Sequence, residues 1–198
     1  MISLSRRCEE SNRAVAARKR EVTRFGPFEA LINLGNDMIW LNYAVPVEEL
    51  NDSSVALAAL ADLKAHFRAR NRRPRFEFNA APWPDLQTLL ETVGLTLQDR
   101  QPLMACEPGD VRPCPVPGVV VHMLSPGSPD KDFVTLSKIQ AAAFGEAESQ
   151  PSAEYLHELR TELESGQSLL ALATLDGVPV GAGGILPDDA GVGELVGV

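Results

Sequence analysis

The apolar positions of this chain fall into two runs of helix-like and strand-like texture, separated by a proline-rich stretch. In the first run, residues 3–24 are polar and arginine-rich, with only Leu4, Val15, Ala16 and Val22 as apolar points, which predicts a surface helix or a loose arm ending before Gly26-Pro27. Phe28 to Ile32 reads as a short helical turn, and Met38 to Val45 as a strand stopped by Pro46. The firmest amphipathic pattern follows. Ala56, Leu60, Leu63 and Phe67 stand four, three and four residues apart, behind a cap at Asp52 or Ser53, and predict a helix to about Arg70. Arg75 to Phe78 alternates as a short strand. Pro82 to Asp85 open a helix that buries Leu86, Leu89, Leu90 and Val93 and stops at Gly94. Leu95 to about Ala105 reads as another strand, with Pro102 at an edge or a bulge.

Between Glu107 and Gly118 stand four prolines and two glycines, which neither a helix nor a central strand accommodates, and the domain boundary is placed near residue 112. Beyond it Val119 to Leu124 predicts a strand. Ser128-Pro129-Asp130 marks a helix start with Phe133, Leu136 and Ile139 inward, and Ser152 caps a second helix striped by Leu156, Leu159 and Leu163. Leu169 to Leu175 and Val178 to Leu186 are strands around Asp176-Gly177, a strong tight-hairpin signal, and an acidic turn leads to Gly193-Glu194-Leu195-Val196-Gly197-Val198. The back half therefore reads strand, helix, helix, strand, strand, strand. Three segments are expected: 1–27 as an arm, 28–112 as a front lobe, and 118–198 as a back lobe.

Charge and composition narrow the function. The net charge of −9 is uneven: residues 1–80 hold 13 Lys/Arg against 10 Asp/Glu, whereas residues 110–198 hold 4 against 13. An acidic surface beside a cleft suits cationic amines, and equally serves only to keep a protein dissolved. The longest apolar stretches are too short to span a bilayer, and no apolar signal core follows Arg6 and Arg7, so a cytoplasmic protein without membrane contact is expected. Three cysteines without a C-x-x-C pair and three scattered histidines argue against a metal site and for free thiols. The run Arg68 to Arg75 holds the one concentrated basic patch. It allows a non-catalytic module binding an anionic partner or nucleic acid, although arginines at a helix C-terminus are favoured by the dipole and are commonly just solvated, so nucleic acid is not the favoured partner.

The order of the back half, with the hairpin Leu175-Asp176-Gly177-Val178-Pro179-Val180-Gly181-Ala182-Gly183-Gly184 and the ending Gly193 to Val198, resembles the opening of a GCN5-related N-acetyltransferase (GNAT) domain. The resemblance implies an α/β fold with a mixed, mostly antiparallel sheet flanked by helices, incomplete at the C-terminus. It implies acetyl transfer from acetyl-CoA to a primary amine of a small molecule. In that family the fourth strand pairs with the pantetheine arm, and the next helix begins with R/Q-x-x-G-x-G/A, whose amides hold the pyrophosphate. By this resemblance Val196, Gly197 and Val198 lie along the cofactor and Glu194 is the general base, while the plain alternative for Glu194 is the solvent-facing member of a terminal strand. No R-x-x-G-x-G occurs in the sequence, so the chain is read as truncated, which counts against its activity. An exposed terminal strand also invites a homodimer. The front half resembles the second half of such a domain with a degenerate phosphate loop, Glu48 to Ser54. A single permuted sheet built from both halves follows as a hypothesis.

Overall fold

The computed structural model describes residues 3–145 and 150–198. The chain divides into two compact units, Met1–Cys106 and Glu107–Val198. Each carries its own sheet, three strands in the first and four in the second. The single permuted sheet is therefore not what forms.

In the first unit, helix α1 (Leu4–Ala17) is capped by Ser3, whose side chain accepts from the Arg6 amide. Strands β1 (Glu21–Phe25), β2 (Phe28–Ile32) and β3 (Asn42–Pro46) form an antiparallel sheet in that order. The expected helical turn at 28–32 is instead the central strand. Gly26, at φ +51°, makes the two-residue loop that sets Phe25 opposite Phe28, and burial of Phe28, Ala30 and Ile32 on one face then holds the register. Likewise, the strand expected from Met38 begins only at Asn42, because Ile39–Leu41 coil into a 3-10 turn. Asn42, 2% exposed, is the reason: its Nδ2 donates to the carbonyls of Asn36 (2.9 Å) and Met38 (2.8 Å), folding that segment onto itself.

Helix α2 (Ser53–Ala69) lays Ala56, Ala59, Leu60, Leu63 and Phe67 on this sheet, as the spacing predicts. After it, residues 75–78 make only one parallel bridge, Ala44 to Phe76, rather than a strand, although the β3–α2–Phe76 path is a parallel crossover in miniature. Helix α3 (Leu86–Thr92) closes the core with Trp83, Leu86 and Leu90, and Gly94, at φ +79°, ends it. No strand forms over Leu95 to Ala105: its residues are largely exposed, and Pro102 has no amide to offer a ladder.

The second unit reads β4 (Val119–Met123), α4 (Asp130–Ala143), α5 (Ala153–Glu164), β5 (Leu169–Leu175), β6 (Val178–Pro187), β7 (Gly193–Val196), the predicted order. Its strands stack antiparallel as β4-β5-β6-β7. Asp176 and Gly177 have φ +51° and +82°, the doubly left-handed turn that suits a two-residue hairpin. Ser152 caps α5 as expected, but Ser128 does not cap α4; its hydroxyl accepts from the Ser125 amide at 3.0 Å and closes the preceding turn. Leu124, Phe133, Leu136, Leu159, Leu170 and Leu172 form the core between helices and sheet. Arg160 of α5 stacks 4.4 Å over the Phe133 ring and pairs with Asp130, tying the two helices together.

Candidate functional site

Of the sequence-predicted site residues, Glu194 and Val196 lie on β7, an edge strand of the second sheet, and Gly197 and Val198 follow it. The turn before it is organised by Asp188, whose carboxylate accepts from the amides of Ala190 (2.9 Å) and Val192 (2.8 Å), while Gly191 takes φ +80°. This aligns Glu194 with Leu186, Leu195 with Ile185 and Val196 with Gly184. Leu170, packed in the core, also pairs with Gly184, so Val196 and, two residues away, Glu194 lie on the face that the helices cover, and Leu195 lies on the other. Glu194 is nonetheless exposed, at the sheet margin.

Packing is tight at two adjacent glycines of β6, and tightest at Gly184, where the neighbour is backbone. A Cβ on Gly184 would stand 2.9 Å from the Leu169 carbonyl oxygen and 3.0 Å from Leu170 Cδ2, and one on Gly183 would stand 3.2 Å from Val198 Cγ2. Ladder pairing stops at Val196. Gly197 then turns to φ +63°, and its carbonyl accepts from Gln140 Nε2 of α4 at 3.0 Å. Val198 is 82% exposed. As the edge strand of the four-stranded sheet, β7 is paired on one side only, by β6.

The starts of α2, α4 and α5 do not suit a pyrophosphate. In the first unit, the start of α2 is the position of the degenerate loop. There a cleft of about 200 Å³ is lined by Glu48, Glu49 and Asp52, with Gly26, Pro27, Asn51 and Val55. The Asp52 carboxylate already accepts from the Ser54 hydroxyl and from the Ser54 and Val55 amides, which, the hydroxyl first, hold its pKa below the ordinary carboxylate value, so the helix terminus is filled by its own anion. The starts of α4 and α5 carry Asp130, Asp132 and Glu154. These acids repel a diphosphate.

The basic patch is largely used within the first unit. Arg70 pairs with Glu21 at 2.7 Å, Arg72 donates to Asn42 Oδ1 and to the Asn33 carbonyl, and Arg75 pairs with Glu77 at 2.8 Å. His66, beside Arg70, is held below the ordinary histidine pKa, first by burial and then by the Arg70 charge, with Glu21 opposing. Sequence reasoning missed Glu9. On α1, its Oε2 accepts from the Asn79 amide at 2.8 Å, its Oε1 is buried without a partner, and burial pushes its pKa up to about 7. No periodicity announces such a group, since its partner lies 70 residues away. The cysteines are free, Cys8 buried and Cys106 and Cys114 exposed. Among the described residues no cluster of His, Cys, Asp and Glu could hold a metal, and no helix is long and apolar enough to cross a membrane.

No family model and no curated protein matches the sequence. The structure is similar to that of a GCN5-related N-acetyltransferase from Kribbella flavida, with a TM-score of 0.79 and 24% identity, over 100% of this chain and 73% of that one. With the strand order and helix placement above, this likeness shows that the chain has the GCN5-related N-acetyltransferase fold.

Proposed function

We propose that the second unit is part of an acyltransferase that moves an acetyl group from acetyl-CoA to the primary amine of a small molecule. The observation that carries this reading is that β7 is the edge strand of a sheet of this fold, with Val196 at the end of its ladder and Gly197 and Val198 just beyond it. Acetyl-CoA, when bound, supplies an activated thioester. Val196 to Val198 would hold and orient its extended arm by backbone pairing, and Glu194 would receive the proton that the neutral amine gives up as its nitrogen bonds to the acetyl carbon, the carbon–sulfur bond breaking and the sulfur leaving as the thiolate. An exposed carboxylate at the same margin suits a cationic acceptor and reaches it through water. The first unit, with Asp52 filling its helix terminus, has a supporting rather than a cofactor-binding role.

Calorimetry of acetyl-CoA against the 198-residue chain, with dephospho-CoA and adenosine diphosphate as controls, tests the reading. Binding in the micromolar range that adenosine diphosphate does not reproduce supports it. No heat from a folded chain, or equal heat from adenosine diphosphate, removes it.

A further inference from the structure

Helix α4 carries a polar residue where its packing stripe calls for an apolar one. Phe133, Leu136 and Gln140 occur at i, i+3 and i+7, one face of a helix, and the first two are buried at 0% and 1% exposure. A carboxamide on such a face needs a partner, and Gln140 finds it 57 residues away in the Gly197 carbonyl, at 3.0 Å. Two features show that the contact is built into the fold. Gly197 adopts φ +63°, which side-chain-bearing residues rarely take, and any Cβ there would collide with Gln140 Nε2. A side chain at position 197 would therefore have to displace the Gln140 carboxamide from this contact. The contact falls where β7 leaves β6, immediately after the last ladder pair, Gly184 with Val196.

We propose that Gln140 is a positioning residue that sets the path of the chain after β7 and so fixes which backbone groups of Val196 to Val198 face an acyl-CoA arm. The proposal rests on the acyltransferase reading above for its functional half. Gln140 does not touch reacting atoms. It takes the Gly197 carbonyl out of competition and turns the chain off the β6 ladder, which leaves the outer edge of β7 as the pairing edge.

The test uses the full chain and two variants: Gln140→Met, nearly isosteric but without a donor, and Glu164→Gln, a control at the exposed end of α5. In labelled protein, the Gly197 carbonyl carbon resonance should shift in Q140M and stay in place in E164Q. Amide exchange at the Gly184–Val196 and Ile185–Leu195 pairs should accelerate about fivefold to tenfold in Q140M, the equilibrium worth of one part-buried hydrogen bond. Acetyl-CoA affinity should weaken by a similar factor in Q140M and remain unchanged in E164Q. An unmoved Gly197 resonance overturns the proposal, and so does wild-type affinity in Q140M. If the wild-type chain binds no acetyl-CoA, the acyltransferase reading and the functional half of the proposal fall together, while the carbonyl resonance still decides whether Gln140 fixes the strand end. Should Q140M fold poorly, Gln140→Ala serves instead, and Gly197→Ala should be tolerated better in that background than with Gln140 in place; equal tolerance counts against the proposal.

Discussion

Replacing Glu9 by glutamine removes a pH dependence that can be sized from its surroundings. In the folded chain Glu9 is desolvated on α1 and approached by the Glu77 carboxylate, and the Asn79 amide and the Arg6 guanidinium offset this only in part, so its pKa rises from 4.5 to about 7. A raised acid binds its proton more tightly in the native state. The favourable contribution is complete below the unfolded value of 4.5 and is lost as the pH climbs through about 7. The rise corresponds to about 3 kcal/mol at full value, and to about 2 kcal/mol once water reaching part of the carboxylate is allowed for. Roughly half of that loss, about 1 kcal/mol, falls between about pH 5.5 and about pH 7.5. His66 acts in the opposite sense: its lowered pKa makes it lose stability as the pH falls, from its unfolded value of 6.5 downward. Wild type and E9Q must therefore be compared at each pH, which cancels His66. The carboxamide introduced by E9Q still offers an oxygen to the Asn79 N–H. Urea unfolding should show E9Q gaining about 1 kcal/mol on the wild type between the two pH values. Parallel curves for the two proteins would refute the argument, because they would mean that Glu9 is ionised in the fold at no cost.

Three other outcomes follow from individual contacts. Asn42→Ala should cost about 3 kcal/mol in urea unfolding, since it strips partners from the Asn36 and Met38 carbonyls, the Asn33 amide and Arg72 at once. Gly184→Ala should cost about 1–3 kcal/mol because its Cβ meets the Leu169 backbone, whereas Gly109→Ala, with nothing within 4 Å, should change the unfolding midpoint very little. The His66 ring should titrate below the ordinary histidine value by NMR, and Arg70→Met should move its midpoint back upward.

The residues themselves determined the elements whose periodicity is local and strong. The α2 stripe Ala56, Leu60, Leu63 and Phe67, the Ser152 cap, the Asp176-Gly177 hairpin and the sequence of elements from β4 to β7 all formed as spacing and turn chemistry require. These features are legible because each rests on neighbours within a turn or two. Tertiary structure decided what depends on distant partners. Phe28 to Ile32 became the middle strand only because two neighbours claim its backbone, and Met38 coiled because the buried Asn42 amide needs carbonyls to bond. Phe76 contributed one bridge, and Leu95 to Ala105 contributed none, where alternation alone suggested strands. At the candidate site, Glu194 and Val196 to Val198 were singled out by the family resemblance, and what local pattern made legible was only a strand at that end of the sheet, which closes at Val196. Neither Gln140 nor Glu9 stood out along the sequence, where Phe133, Leu136 and Ile139 already complete the α4 stripe. Sequence spacing carries periodicity, but a hydrogen bond across 57 residues or a desolvated carboxylate exists only once the packing has brought its partners together.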